Sequence, residues 1–198
     1  VSGFCDADYV SLKQTLKIPL TACDAFSTEA GFSSVTVKDR EGGRLAGMHL
    51  KSLGHRRVTC VTTNLICDDL ERIQGLRDAG LETDVFMISG DRSEMRRQFG
   101  ERDFSRDTAV FCVSDRQALE LLCILQERGI RVPEDLSVMG FDGIEPGLYA
   151  IPPLTTISQD LEAKARLAIE SLSAEPAAHP IDVSLTVRKS TGYAKDIL

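Results

Sequence analysis

The stretch from Val132 to Asp160, VPEDLSVMGFDGIEPGLYAIPPLTTISQD, constrains this chain most. It opens on the turn Val132-Pro133-Glu134-Asp135 and continues as a short apolar run, Leu136 to Phe141. Such a run, bounded by turn signals, reads as a parallel strand buried on both faces. Asp142 follows at the C-terminal end of that strand, and Gly143 comes next. In open α/β sheets, ligands bind just beyond the C-terminal strand ends. A carboxylate placed there accepts hydrogen bonds from ligand hydroxyls or amides. Asp142 could equally do no more than cap the turn that starts at Gly143. On chemistry alone both readings stand.

The rest of the chain repeats the same step. Strands are expected from Val58, from Asp84 to Ser89 and from Thr108 to Val113. Helices are expected over Glu41 to Leu53, over Asp68 to about Ala79, after Asp91, over Ala118 to Glu127 and over Asp160 to Leu172. The first carries the stripe Leu45, Ala46, His49 and Leu50 and stops at Gly54. Asp68 with Glu71, and Asp91 with Glu94, fit capping boxes. Earlier in the chain a strand is expected at Val1 to Cys5, a helix over Ala7 to Lys17, and a second strand over Leu20 to Cys23, ending at Asp24. Ser34 to Val37 alternates weakly, Ala174 to Pro180 reads as a loop, and Asp182 to Arg188 alternates as a closing strand. Strands alternating with helices specify an α/β chain with parallel sheets.

At 198 residues the chain is one large domain or two small lobes. Its net charge of −7 argues against a module that binds DNA by itself, which would show a basic face. No apolar stretch approaches the roughly 20 residues that span a bilayer. The opening residues VSGFCDADYV lack the basic and apolar regions of a signal peptide. Six cysteines stand mostly among apolar neighbours, and no CxxC or His-x-His spacing suggests zinc. Buried, reduced thiols are expected, in the cytoplasm. No metal or cofactor is expected. His49 and His55 have no partner at catalytic spacing and read as structural. The absence of a GxSxG elbow, GxGxxG or a phosphate loop argues against an enzyme.

The two runs GIRVPEDLSVMGFD and IPPLTTISQD, in that order, resemble the paired motif of the lactose-repressor/galactose-repressor family of bacterial transcriptional regulators. The Ile18-Pro19 to Asp24 segment, the GHRRV step, Arg72 in ERIQGL, the Ser114-Asp115 pair and the closing VRKSTG resemble further steps of the family pattern. The resemblance implies a two-lobed, periplasmic-binding-protein-like type I fold with Rossmann-like parallel sheets. Residues 1–37 and 159–181 would form a partial N-terminal lobe, and 38–158 with 182–198 the C-terminal lobe. The first part of the N-terminal lobe and the DNA-binding head would lie outside this chain. The function implied is the effector-binding and dimerisation core of a repressor-type regulator. It would shift between open and closed lobes on binding a sugar or related metabolite. Operator DNA would be contacted only through the absent head, and no membrane partner is implied. A periplasmic sugar-binding protein of a transporter would share the fold, but reduced cysteines argue against it.

The resemblance also implies effector contacts. Asp142, Asp24, Arg72 and Ser114 match family positions near the effector, and Gln159 and Asp68 complete the candidate set. Each has a purely local reading as well: a strand-end turn for Asp24, a solvated first-turn side chain for Arg72, helix N-caps for Ser114 and Asp68. Arg92 stands where family members often carry an aromatic residue. Beside Arg72 it would favour a phosphate or carboxylate; otherwise it is a solvated first residue of its helix. The apolar face Ala118, Leu121, Leu122 and Leu125, widened by Leu119 and Cys123, is wider than one contact requires. Part of it would meet a partner in a homodimer.

Overall fold

The computed structural model describes residues 11, 12, 14–16, 18–24, 31–65 and 67–195. The expected strand at Val1 to Cys5 lies outside the described residues. Residues 11, 12 and 14–16 of the expected second element are helical. The elements that follow are β1 (Thr21–Cys23), β2 (Ser33–Val37), α1 (Asp39–Ser52), β3 (Arg57–Thr62), α2 (Cys67–Asp78), β4 (Glu82–Met87), α3 (Arg92–Glu101) and β5 (Ala109–Cys112). Then come α4 (Asp115–Glu127), β6 (Ser137–Asp142), α5 (Pro146–Tyr149), β7 (Thr155–Gln159), α6 (Leu161–Glu170), β8 (Ala178–Ile181) and β9 (Val183–Thr186). They fall into two compact units, Val1–Lys38 with Gln159–Val183 and Asp39–Ser158 with Ser184–Leu198.

The first unit holds a three-stranded sheet of order β1-β2-β8, parallel throughout. Its centre, β2, is buried at all five positions, so the weak alternation in its sequence reflects burial on both faces. β8 lies where a loop is expected. Its sequence, AHPI, includes Pro180. A proline has no N–H to donate, so it survives in a strand paired on one side only. Among the described residues β8 pairs with β2 alone, at the edge of the sheet.

The second unit holds a six-stranded sheet of order β4-β3-β5-β6-β7-β9, with parallel pairing from β4 through β7. The central strands β5 and β6 are almost wholly buried, as expected where helices cover both faces of a sheet. Phe99, Phe111, Phe141, Leu121, Leu125, Leu136 and Leu154 are fully buried around them. Each such side chain contributes roughly 1.5–3 kcal/mol on leaving water. β7 was not anticipated: TTISQ offers little apolar pattern, yet three of its five residues are buried beside β6.

α1 and α2 pack unusually closely. The buried face of α1 is Asp39, Gly42, Gly43, Ala46, Gly47 and Leu50, smaller than the stripe read from the sequence. A Cβ on Gly43 would stand 2.0 Å from the Arg72 carbonyl oxygen, and one on Gly75 2.1 Å from that of Arg40. Only glycine permits this approach of two backbones.

His55 holds the turn before β3, as expected. Its Nε2 lies 3.1 Å from the Gly192 carbonyl and its Nδ1 3.0 Å from Thr108 Oγ1. A carbonyl only accepts, so Nε2 carries the proton and Nδ1 accepts from the threonine. Burial lowers the His55 pKa. Cys60 and Cys112 are buried, as expected of small hydrophobes, whereas Cys23 and Cys123 are exposed, against expectation. Cys123 lies on the outer side of the α4 apolar face. Among the described residues no helix is long and apolar enough to cross a membrane.

Candidate functional site

The second unit gathers charge at the C-terminal ends of its strands. Asp142 ends β6, where its side chain remains 29% exposed. Its φ of 125° is positive, a region that costs a non-glycine residue of order 1–3 kcal/mol and persists where the surroundings over-determine it. Among the described non-glycine residues, only Asp24 (φ 55°) and Asp142 have positive φ. Both are strand-end aspartates drawn from the sequence as candidates.

Arg72 meets Asp142 from α2. Only 8% of it is exposed, so the solvated reading fails; it also lies in the second turn of α2, beyond the first. Its Nε donates to Asp39 Oδ1 at 2.7 Å and its Nη1 to the Val113 carbonyl at 2.5 Å. Nη1 lies 3.8 Å from Asp142 Oδ1. The guanidinium stacks on the Phe141 ring, 3.9 Å from its centroid, a favourable cation–π arrangement. Burial alone would lower the Arg72 pKa, but the carboxylates of Asp39 and Asp142 outweigh it and raise it. This cation is therefore fixed in position and charge.

Sequence reasoning missed Asp39 and Phe141. A signal for Asp39 existed: a buried arginine requires a buried carboxylate, and Asp39 stands two residues past the end of β2. Phe141 was read only as a strand residue.

Ser114 occupies the N-cap position of α4 with extended backbone, but its side chain makes no capping hydrogen bond. The helix cap expected of Ser114 does not form. The anchoring falls to Asp115, which is fully buried. It accepts from the Ile144 N–H at 2.9 Å and the Thr156 hydroxyl at 2.6 Å. Burial raises its pKa, opposed by those hydrogen bonds. Asp115 thus ties α4 to the segment after Asp142 and to β7, and it too was missed.

Asp68 lies inside the first turn of α2, because the helix opens at Cys67; it is not the N-cap. Its neighbour Asp69 accepts from the Thr62 hydroxyl at 2.7 Å. Arg92 is the first residue of α3, and its side chain is 68% exposed. Its Nε donates to Glu120 Oε1 at 2.5 Å, and Arg96 pairs with the same carboxylate at 3.0 Å. Glu120 on α4 thus engages Arg92, so the expected two-arginine pair with Arg72 is replaced by a clamp between α3 and α4.

The first unit brings its own candidates together. Lys164, 8% exposed on α6, holds both carboxylate oxygens of Asp24, with Nζ 2.6 Å from Oδ2. The same Nζ donates to Gln159 Oε1 at 3.3 Å. Asp24 and Gln159 therefore share one buried cation that sequence reasoning did not pick out.

A parallel-sheet fold with fixed charge at its strand ends is that of an α/β ligand-binding domain. The family model for the periplasmic binding protein-like domain matches residues 48–191. The ribose operon repressor of Haemophilus influenzae is 32% identical over 177 residues, covering 81% of this chain and 52% of the repressor. The HTH-type transcriptional repressor PurR of Vibrio atlanticus is 36% identical over 167 residues, covering 78% and 49%. A crystal structure of a LacI family transcriptional regulator from Enterococcus faecium with bound ribose superposes with a TM-score of 0.86 at 26% identity, covering 96% of this chain and 77% of that one. The chain belongs to the periplasmic binding protein-like domain family, on its LacI/GalR regulator side. It spans about half the length of the curated relatives it matches.

Proposed function

We propose that this chain is the effector-binding core of a transcriptional regulator that responds to a small polyhydroxylated metabolite, with a pentose as the first class. The observation that carries the reading is the Asp39–Arg72–Asp142 set at the C-terminal end of β6, in which buried Arg72 stacks on Phe141 and part-exposed Asp142 faces solvent. Carboxylates accept from sugar hydroxyls and a fixed guanidinium donates to them, so the set suits a polyol. Ribose bound to two similar regulators, and the ribose operon repressor among the relatives, support the pentose class. Those same relatives favour a regulator over a transporter protein. Operator binding would reside in a segment outside this chain, and the location would be the cytoplasm.

The test is calorimetric titration of the whole protein with D-ribose and with ribose 5-phosphate. Asp142→Asn keeps a residue type that tolerates positive φ and removes the carboxylate charge. It is expected to weaken binding by about 1.5–3 kcal/mol, roughly 10- to 150-fold, with the fold retained. Unchanged affinity in the folded variant removes Asp142 from the site. Tighter binding of the phosphate than of the sugar would reopen a role for Arg92.

The same reading makes the chain a homodimer through its second unit. Leu148, Tyr149 and Ile151 are 49%, 71% and 78% exposed beside α4. Leu119, Pro146, Tyr149 and Ala150, with Glu145, line a largely apolar depression there. A patch of this kind marks an interaction surface. Sedimentation is expected to give a dimer that Tyr149→Glu dissociates. A compact monomer for the parent chain refutes this arrangement.

A further inference from the structure

The second unit carries another cavity, at the opposite, N-terminal ends of the same strands. It measures about 630 Å³ and is lined by Gly54, Arg56, Arg57, Arg106, Asp107, Thr108, Ala194 and Lys195. That volume lies within the roughly 300–1,000 Å³ of small-molecule sites. Its four cations come from three separate segments: Arg56 and Arg57 where β3 begins, Arg106 in the turn before β5, and Lys195 in the tail after β9. The tail is fixed to the unit by the Ala194 N–H to the Leu53 carbonyl at 2.8 Å and by His55 on the Gly192 carbonyl. Lys195 is thereby brought beside the arginines.

The charge there runs against the composition of the chain, which has 30 acidic and 23 basic residues. Among the described residues Asp107 is the only carboxylate in the lining, and it is already engaged. It accepts from the Thr59 hydroxyl at 2.7 Å and pairs with Arg102 at 3.2 Å. Thr108 Oγ1 is engaged with His55. Arg57 meets Asp84 only at 3.5 Å, whereas Arg40, Arg44, Arg97 and Arg131 hold their carboxylates at 2.5–2.6 Å. Arg56, Arg106 and Lys195 form no ion pair among the described residues. Carboxylates do stand further out: Asp103 feels Arg106, and Asp135 feels Lys195. Neither lines the cavity. Like charges converging within a Debye length repel unless an anion lies among them.

We infer that this cavity is a second ligand site, distinct from the strand-end cluster, for a compact polyanion carrying two or more phosphate groups. Forked guanidinium groups from two segments match phosphate oxygens bidentately, and a lysine adds a point charge. Among the described residues no aromatic side chain lines the cavity, so the recognition proposed is of the phosphates and not of a stacked base or sugar ring.

The experiment is calorimetric titration of the full chain with inorganic pyrophosphate at constant ionic strength, with ADP, sodium sulfate and a short DNA duplex in parallel arms. Pyrophosphate or ADP is expected to bind at one site per chain with a submillimolar Kd. The pair distinguishes a free diphosphate from a nucleotide, and either supports the proposal. The double variant Arg56→Gln/Arg106→Gln alters exposed side chains and is expected to weaken binding at least tenfold with an unchanged far-ultraviolet dichroism spectrum. Lys195→Gln serves as an independent second variant with a smaller loss in the same direction. Asp142→Asn is expected to bind pyrophosphate like the parent. The proposal is overturned if sulfate binds as tightly as pyrophosphate, if neither lysine nor arginine variant loses affinity, or if Asp142→Asn abolishes binding. It is also overturned if the DNA duplex displaces pyrophosphate and binds tighter, which would make the cavity a nucleic-acid surface.

Discussion

Arg72→Ala is expected to lower stability by about 3–5 kcal/mol and to abolish effector binding in the same variant. The first effect follows from what the substitution leaves behind. Asp39 is 4% exposed and holds Arg72 Nε at 2.7 Å. Removing the guanidinium leaves a buried carboxylate without its cation, and the Val113 carbonyl without its 2.5 Å donor. An uncompensated buried charge is costly, because the interior screens it far less than water does. A paired replacement separates burial from function. Replacing both partners of a buried ion pair with apolar side chains of similar volume is often neutral or stabilising. Asp39→Leu/Arg72→Met is therefore expected to recover most of the lost stability and none of the binding. Urea denaturation and calorimetry on the three proteins decide the matter. If Arg72→Ala alone binds ribose normally, the guanidinium is only structural and the proposed site must be redrawn.

The sequence carries the sheet well and the site in part, and the division has physical causes. Strands β3, β5 and β6 are legible because burial on both faces demands runs dominated by apolar and β-branched residues. β7 and β8 are not, because TTISQ and AHPI take their burial and pairing from neighbours distant in sequence. The strand-end aspartates Asp24 and Asp142 are visible as the polar residues that stop an apolar run. Their positive φ is not, since nothing in a one-dimensional pattern reports backbone strain. The partners of the charged candidates are the least legible part. Asp39 lies 33 positions from Arg72, and Lys164 lies 140 from Asp24. Likewise Glu120, 28 positions from Arg92, decides that Arg92 braces α3 against α4. Ser114 is the opposite case: its residue type fits a helix cap, and in the structure its hydroxyl makes no such bond.

Gly43→Ala is expected to cost about 2 kcal/mol or more in stability and to weaken effector binding, although it touches no ligand. In an exposed helix interior the same change stabilises by up to about 1 kcal/mol, since alanine is the better helix former. Here the new Cβ would stand 2.0 Å from the Arg72 carbonyl oxygen, 2.8 Å from its carbonyl carbon and 3.0 Å from its Cα. All three are backbone atoms, which cannot rotate away, so α1 and α2 must separate. Overpacking of this kind typically costs about 1–3 kcal/mol. Separation also draws Arg72 away from Asp39, which is the first residue of α1. The distance between the helices and the position of the guanidinium are therefore set by the same contact. Gly100 supplies the control: it lies in α3, and a Cβ there meets nothing within 4 Å. Gly100→Ala is expected to be neutral or slightly stabilising and to leave binding unchanged. A double-mutant cycle tests the link to Arg72. Part of the cost of Gly43→Ala is the broken ion pair, which is already absent in Arg72→Ala, so the glycine substitution should cost less in that background, with a coupling of about 1 kcal/mol. Strict additivity would mean that α1 and α2 accommodate the methyl group without moving Arg72, and that the glycine contact serves packing alone.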